Sequence, residues 1–251
     1  MIQIIIGDSH TSALKKAISS EIFVPEIETH IIPTRQVKYE SLLANERPLE
    51  INKQLKEDIS SLIQKKPKPH IFVFLSGNNH ASMSICPSPD PTQHFDFILP
   101  KYKYLGNIPD VAIVPYNQIK EFFKRRMLKN NIKPLIALRK EFPNIPMYSI
   151  ISPPTIPSAE HIQKYMGRFK DRIENYGISP ASFRLKFWLL QVEVLQEICQ
   201  KHNIQFIPNP DNTQDNEGFL LEKFWSNDPT HANALYGKLV LEQIKSITGE
   251  V

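Results

Sequence analysis

"IIIGDSHTSAL", residues 4–14, sets an apolar run directly against Gly-Asp-Ser-His and then opens onto small, helix-compatible residues. Continuous apolarity suits a strand buried on both faces, and the polar tetrapeptide suits a turn into a helix. A strand that hands over to a helix in this way is the opening of a parallel α/β sheet. Ser9, at the junction, has two readings. Its hydroxyl can cap the helix, or it can be held at the sheet edge as a nucleophile with helix N-terminal amides nearby.

The same alternation continues outward from this stretch. Further strand-like runs are "ETHIIP" at 28–33, "HIFVFL" at 70–75, "MYSII" at 147–151 and "IQFIP" at 204–208, which with "IQIII" at 2–6 make five. Helices are predicted near 11–20, 50–65, 117–141, 180–202 and 231–247, the third divided in two at Asn130 to Pro134. In the fourth, Ser179 reads as a cap and Pro180 as the first helical residue. Residues 81–116 have no clean period and are too long for an ordinary connection. They read as an insertion over the carboxyl edge of the sheet, either a substrate-binding flap or a packed excursion.

Bulk properties bound the rest. No linker-like stretch divides the 251 residues, so residues 1–251 are read as one domain. Hydrophobic residues at 41% and charged residues at 22% are ordinary globular usage, which argues against disorder and coiled coil. The net charge of +4 is modest and gathers in "KEFFKRRMLKNNIK", residues 120–133. That cluster could meet an anionic partner or form a solvated helix face, and with no aromatic-flanked motif beside it no nucleic acid is expected. Two cysteines, Cys86 and Cys199, make neither a disulfide framework nor a metal motif and fit a reducing compartment. Met1 leads straight into a strand-like run, and no apolar run approaches the ~20 residues that span a bilayer, so a cytoplasmic protein with no membrane partner is expected.

Two more segments carry candidate chemistry. "FLSGNNH", residues 74–80, follows a strand; Gly77 permits a tight turn, and Asn79 could offer a neutral amide donor to a developing oxyanion, or simply belong to an Asn-rich turn. In "WSNDPTHANALYGKLV", residues 225–240, Asp228 and His231 are three apart before a helix. A carboxylate there can bond one imidazole nitrogen and leave the other to take a proton. A capping role would explain Asp228 but gives no reason for His231.

Together the three segments resemble the blocks of the SGNH (GDSL-type) hydrolases, in the same order along the chain. Gly7-Asp8-Ser9 matches the nucleophile block, Gly77-Asn78-Asn79 the Gly-x-Asn of the third block, and Asp228-Pro-Thr-His231-Ala-Asn233 the last. The resemblance implies an α/β, three-layer, flavodoxin-like sandwich with a five-stranded parallel sheet flanked by helices. It implies Ser9 as nucleophile, His231 as general base and then acid, Asp228 as the group that orients the imidazole, and an oxyanion hole of the Ser9 amide and Asn79. The activity implied is hydrolysis of a small acyl ester through a seryl acyl-enzyme, with an O-acetylated carbohydrate as one candidate. An acyltransferase with the same residues and a catalytically silent binding domain are the alternatives.

Two departures stand out. No glycine lies between Gly7 and Gly77 to supply the family's second-block amide, and a main-chain donor within "TRQVKYESL", residues 34–42, is the expected substitute. His10 stands where the named motif has Leu, and His80 where the third block often has Asp. With Asp8 they are candidates for lining the substrate cleft, or are tolerated variation. Asp8, His10, His80 and His231 match no metal-ligand spacing, and no metal or cofactor is expected. Oligomeric state is not legible.

Overall fold

In the computed structural model, which describes residues 1–34, 39, 41–65 and 68–249, the order of elements is as follows. Strand β1 (Ile2–Gly7) leads into α1 (Thr11–Ser19), and β2 (Glu28–Pro33) is followed by the short strands β3 (Leu43–Glu46) and β4 (Leu49–Ile51). Helix α2 (Lys53–Lys65), β5 (Pro69–Phe74), α3 (Asn79–Ser84) and the short strands β6 (Phe95–Asp96) and β7 (Ala112–Ile113) come next. After them run α4 (Tyr116–Met127), α5 (Lys133–Glu141), β8 (Met147–Ile150), α6 (Ala159–Lys164), α7 (Lys170–Tyr176), α8 (Ala181–Lys201), β9 (Gln205–Ile207) and α9 (Ala234–Gly249).

Five of the strands form one parallel sheet in the order β2-β1-β5-β8-β9, flanked by helices in a three-layer α/β sandwich. This is the flavodoxin-like order, in which the connections change direction between β1 and β5. Ligands bind outside the carboxyl ends of the strands at such a switch point. Gly7 is paired with Pro33 on one side and Phe74 on the other, so β1, β2 and β5 all end along one edge.

Strand side chains alternate between two apolar layers, which is why the runs read as continuously hydrophobic. Ile4, Ile6, Ile71 and Val73 pack with residues of α2, α4, α5 and α8. Ile5, Phe72 and Phe74 pack with Ala13, Leu14 and Ala17 of α1 and with Tyr236, Val240 and Ile244 of α9. Gln3, also buried, donates to Thr248 Oγ1 at 2.8 Å and accepts from Thr29 Oγ1 at 2.9 Å. Its amide is therefore satisfied in an apolar layer that would otherwise penalise it.

Several boundaries differ from the sequence expectation. The helix predicted from 50 begins at Lys53, because Leu49–Ile51 pairs antiparallel with Leu43–Glu46 and Asn52 Oδ1 then accepts the Leu55 amide at 3.2 Å as a cap. The predicted break at Asn130 to Pro134 is a π-helical turn, Leu128–Ile132, that joins α4 to α5. Pro134 cannot donate a backbone hydrogen bond to the preceding turn, and a wider turn absorbs the missing bond. Helix α8 begins at Ala181 with Pro180 at its cap and no side-chain cap bond, so Ser179 does not cap it.

Residues 81–116 pack chiefly beside α8. Phe95 and Phe97 meet Phe183 and Phe187 edge to face, and Lys186 Nζ reaches Asp96 Oδ2 at 2.8 Å with both side chains buried. Asp96 also accepts the amides of Phe97 and Ile108, which ties two points within this excursion to one carboxylate.

Candidate active site

Ser9 does not cap α1. The cap position falls on His10, without a side-chain bond of its own, and Asp8 Oδ1 accepts the His10 amide at 3.0 Å while Thr11 Oγ1 bonds the Asp8 carbonyl at 2.8 Å. Those bonds organise the turn and leave the Ser9 hydroxyl for another partner. It meets His231 Nε2 at 2.7 Å.

The segment that carries His231 is fixed by its own bonds. Trp225 bridges Ala232, and the Ser226 amide donates to the His231 carbonyl at 3.1 Å. Asn233 Oδ1 accepts the Leu235 amide at 2.9 Å and so starts α9, while its Nδ2 holds the Trp225 carbonyl at 3.1 Å. The helix predicted from 231 thus begins three residues later, and His231 stands free of it at the sheet edge.

Asp228 Oδ1 lies 2.6 Å from His231 Nδ1 and also accepts the Thr230 and His231 amides at 2.8 and 3.0 Å. Burial pushes the Asp228 carboxyl up, but the hydrogen bonds and charge of His231, with the bonds from Thr230, outweigh it and hold its pKa at about 2. A carboxylate at Nδ1 keeps the proton on that nitrogen and points the Nε2 lone pair at Ser9.

Two residues not singled out in the sequence complete this network. Asn78 Oδ1 bonds His10 Nε2 at 2.9 Å and its Nδ2 donates to Thr230 Oγ1 at 3.0 Å. Thr230 Oγ1 in turn donates to Asp228 Oδ1 at 3.0 Å. Asn78 therefore ties the Ser9 turn to the Asp228 turn. Gln191 of α8 supports the same region from beneath, accepting the His80 amide at 3.1 Å and donating to the Gly77 carbonyl at 3.2 Å. Neither contact has a local sequence signal, because each joins positions more than 100 residues apart.

The remaining sequence candidates divide by position. A pocket of about 410 Å³ opens at the switch point and is lined by Asp8, Ser9, Gly77 and Asn79 among others. His10 and His80 do not line it. Both are buried, His10 stacked on Phe74 and 4.7 Å from the His231 ring, His80 against Gln191. Burial, followed by the neighbouring His231 and His80, holds His10 well below the usual histidine range; burial holds His80 at about 4. They act as neutral support under the site. Among the described residues no three His, Cys, Asp or Glu side chains gather as metal ligands would.

Asn79 lines the pocket, but its Nδ2 donates to the Ser76 carbonyl at 3.1 Å and to Asn131 Oδ1 at 2.9 Å. Asn131 comes from the π-helical turn, and it lies so near Gly77, whose φ is +63°, that a Cβ there would sit 2.8 Å from its Nδ2. Of residues 34–42, where the substitute main-chain donor was expected, Thr34 and Leu42 line the pocket, and the Thr34 amide is bonded to the Gly7 carbonyl at 2.8 Å. Residues 35–38 and 40 lie outside the described residues. Ser82 is the member of the 81–116 excursion that reaches this pocket, and it also lines a second cavity of about 400 Å³ bordered by Met83, Phe95, Ile108 and Phe183.

No protein-family model matches the chain, and no curated protein does. Among solved structures, a candidate acylhydrolase from Bacteroides fragilis is similar with a TM-score of 0.50 at 13% identity, over 99% of this chain and 86% of that one. The chain shares its fold with that protein. A GDSL-like lipase from Bacteroides thetaiotaomicron gives a TM-score of 0.48 at 13% identity, over 99% of this chain and 88% of that one. At such identities the likeness is one of backbone arrangement. In this α/β fold Ser9, Asn79 and His231 all stand at the carboxyl edge beside the switch between β1 and β5.

Proposed function

We propose that this chain is a serine esterase of the SGNH type, acting on a small acyl ester through a seryl acyl-enzyme. The observation that supports it is the run of short contacts from Ser9 Oγ to His231 Nε2, 2.7 Å, and from His231 Nδ1 to Asp228, 2.6 Å. A binding role would not require these three side chains in that order.

In the proposed reaction His231 Nε2 takes the Ser9 proton as Oγ attacks the ester carbonyl, and the proton passes to the departing alkoxide. Water, deprotonated by His231, then attacks the acyl-serine, and the acid leaves as Ser9 regains its proton. Asp228 stays ionised throughout and stabilises the imidazolium between steps. The Ser9 amide and Asn79 receive the oxyanion, the substrate oxygen displacing Asn131 from Asn79 Nδ2. One such donor is worth about 3 kcal/mol of barrier. The polar lining of the pocket favours an ester of a polyhydroxylated alcohol, such as an O-acetylated carbohydrate, over a long acyl chain.

The second cavity, which shares Ser82 and Arg126 with the first, favours one other reading. An acceptor alcohol held there would make the protein an O-acyltransferase. Release of 4-nitrophenol from 4-nitrophenyl acetate tests the main proposal: saturable turnover that falls about 10³-fold or more in Ser9→Ala supports it, and equal turnover by that variant overturns it. Adding alcohols separates the readings, since a transferase yields a new ester at the expense of free acetate.

A further inference from the structure

Arg126, in the last turn of α4, lines the pocket that holds Ser9, and so does Arg168 from the turn Gly167–Phe169. Among the described residues the lining thus carries two guanidinium groups and one carboxylate, Asp8, which is buried and accepts the His10 amide. Arg172 of α7 stands next to them along the second cavity, which Arg126 also lines. Arg126 and Arg172 converge on Ser82: Arg126 Nη2 donates to its hydroxyl at 3.4 Å and Arg172 Nη1 to its carbonyl at 3.1 Å.

Among the described residues, Arg126 and Arg172 have no acidic partner. Two other cations of α4, Lys120 and Lys124, are neutralised by Glu197 of α8 at 2.5 and 3.3 Å. Among the described residues neither Arg126 nor Arg172 makes an ion pair, and Arg126 Nε is shut off from solvent with no hydrogen-bond partner. An N–H of a charged group left unsatisfied and buried is destabilising. Such a cost is normal where an absent ligand completes the bonding, and a guanidinium is the side chain best shaped to hold a planar or tetrahedral oxyacid by two parallel bonds. The basic run of residues 120–133, which the sequence left between a solvated face and an anion contact, therefore splits, with Lys124 turned to Glu197 and Arg126 turned to Ser9's pocket.

We propose that Arg126, together with Arg168, binds an anionic group carried by the ester substrate. The substrate class is then an acyl ester of an acidic alcohol, with a carboxylate, phosphate or sulfate on the alcohol side, such as an acetylated acidic sugar. The proposal rests on the esterase reading for the role of Ser9, while the anion site can be measured without turnover.

Two experiments decide it. In Ser9→Ala protein, calorimetric titration with inorganic phosphate and with benzoate shows one site, weakened at least tenfold by Arg126→Met and less by Arg126→Lys, whose retained affinity also reports that the fold survives. In the unsubstituted protein, kcat/KM for 4-acetoxybenzoate exceeds that for the neutral 4-acetoxybenzamide about tenfold at low salt. That ratio falls toward one in 1 M sodium chloride and in Arg126→Met. Anion binding that is absent, or unchanged by Arg126→Met, overturns the proposal. So does a ratio near one in all conditions, which leaves the esterase standing. Intact anion binding with no Ser9-dependent turnover of either ester would instead remove the esterase and keep the anion site.

Discussion

His231 Nε2 lies 2.7 Å from Ser9 Oγ across 222 positions of sequence. Ser9 precedes α1 and His231 precedes α9, so their separation depends on how those two helices pack. Gly237, in the first turn of α9, lies against the backbone of Ala13 and Leu14 in α1, and a Cβ at 237 would collide with the Ala13 carbonyl. The close approach of the two helices is what brings His231 to Ser9.

Gly237→Ala therefore forces the helices apart. A backbone obstacle cannot rotate out of the way as a side chain can, and overpacking costs typically 1–3 kcal/mol, so a loss of about 3 kcal/mol in urea unfolding is expected. Esterase activity should fall in the folded fraction as well. Unchanged stability would mean that α1 and α9 are not held as close as described.

Asp228→Asn should keep the fold and lower kcat/KM by about 10⁴, because an amide at that place favours the wrong imidazole tautomer. With the Asp228 pKa held at about 2, the carboxylate remains ionised across the working range. The acid limb of the pH–rate profile should accordingly show no step from Asp228 above pH 3 or so. The linked stability is present above the usual carboxylate pKa and lost as pH falls through about 2. A variant with near-normal kcat/KM would contradict the role given to this carboxylate.

How much of this was legible depends on how local each signal is. The central strands β1, β5 and β8 could be read because burial on both faces leaves an unbroken apolar run, as in "IQIII" and "HIFVF", and the edge strands β2 and β9 because a short apolar run survives in each. Ser9, Asp228 and His231 could be read because each motif is contiguous and lies at a strand end or helix start. The hairpin of β3 and β4 was hidden, since in "LANERPLEI" only Leu43, Leu49 and Ile51, with Ala44, are apolar and the rest faces solvent. Asn78, Asn131, Arg126 and Gln191 reach the site only through the packing of α3, the π-helical turn, α4 and α8, and no spacing along the chain encodes that convergence. The histidines beside the motifs were read as cleft candidates because type and adjacency say nothing about depth, and His10 and His80 lie beneath the pocket floor.

Those two histidines make stability depend on pH. Both are held neutral by burial, His80 at about 4 and His10 well below the ordinary 6.5. Between the folded and unfolded values the unfolded chain binds more protons, so the stability they contribute is full above pH 6.5 and drains away as pH falls through about 4. Each unit of depression corresponds to about 1.4 kcal/mol, which makes the expected loss a few kcal/mol for His80, with His10 adding to it in the same direction. Thermal unfolding from pH 7 to pH 4 should show it, and His80→Gln should flatten the curve. An acid-insensitive melting temperature over that range would contradict the neutral assignment.

Lys186→Met tests how residues 81–116 are held. It leaves Asp96 buried and without its cation, although the carboxylate keeps the amides of Phe97 and Ile108. Breaking such a pair from one side costs about 3–5 kcal/mol. Limited proteolysis should then cut within 81–116 first. The double variant Lys186→Met with Asp96→Leu should recover part of the loss, and failure of any destabilisation in the single variant would mean that the pair does not anchor the excursion.

The central claim is that His231 and Asp228 make Ser9 a nucleophile. Intact-protein mass spectrometry after incubation with a serine-directed fluorophosphonate tests it most directly, with Ser9→Ala and His231→Ala alongside. A single adduct is expected, mapped to Ser9 and absent from both variants. A folded protein that takes up no adduct, or one that remains labelled when Ser9 is alanine, would contradict it.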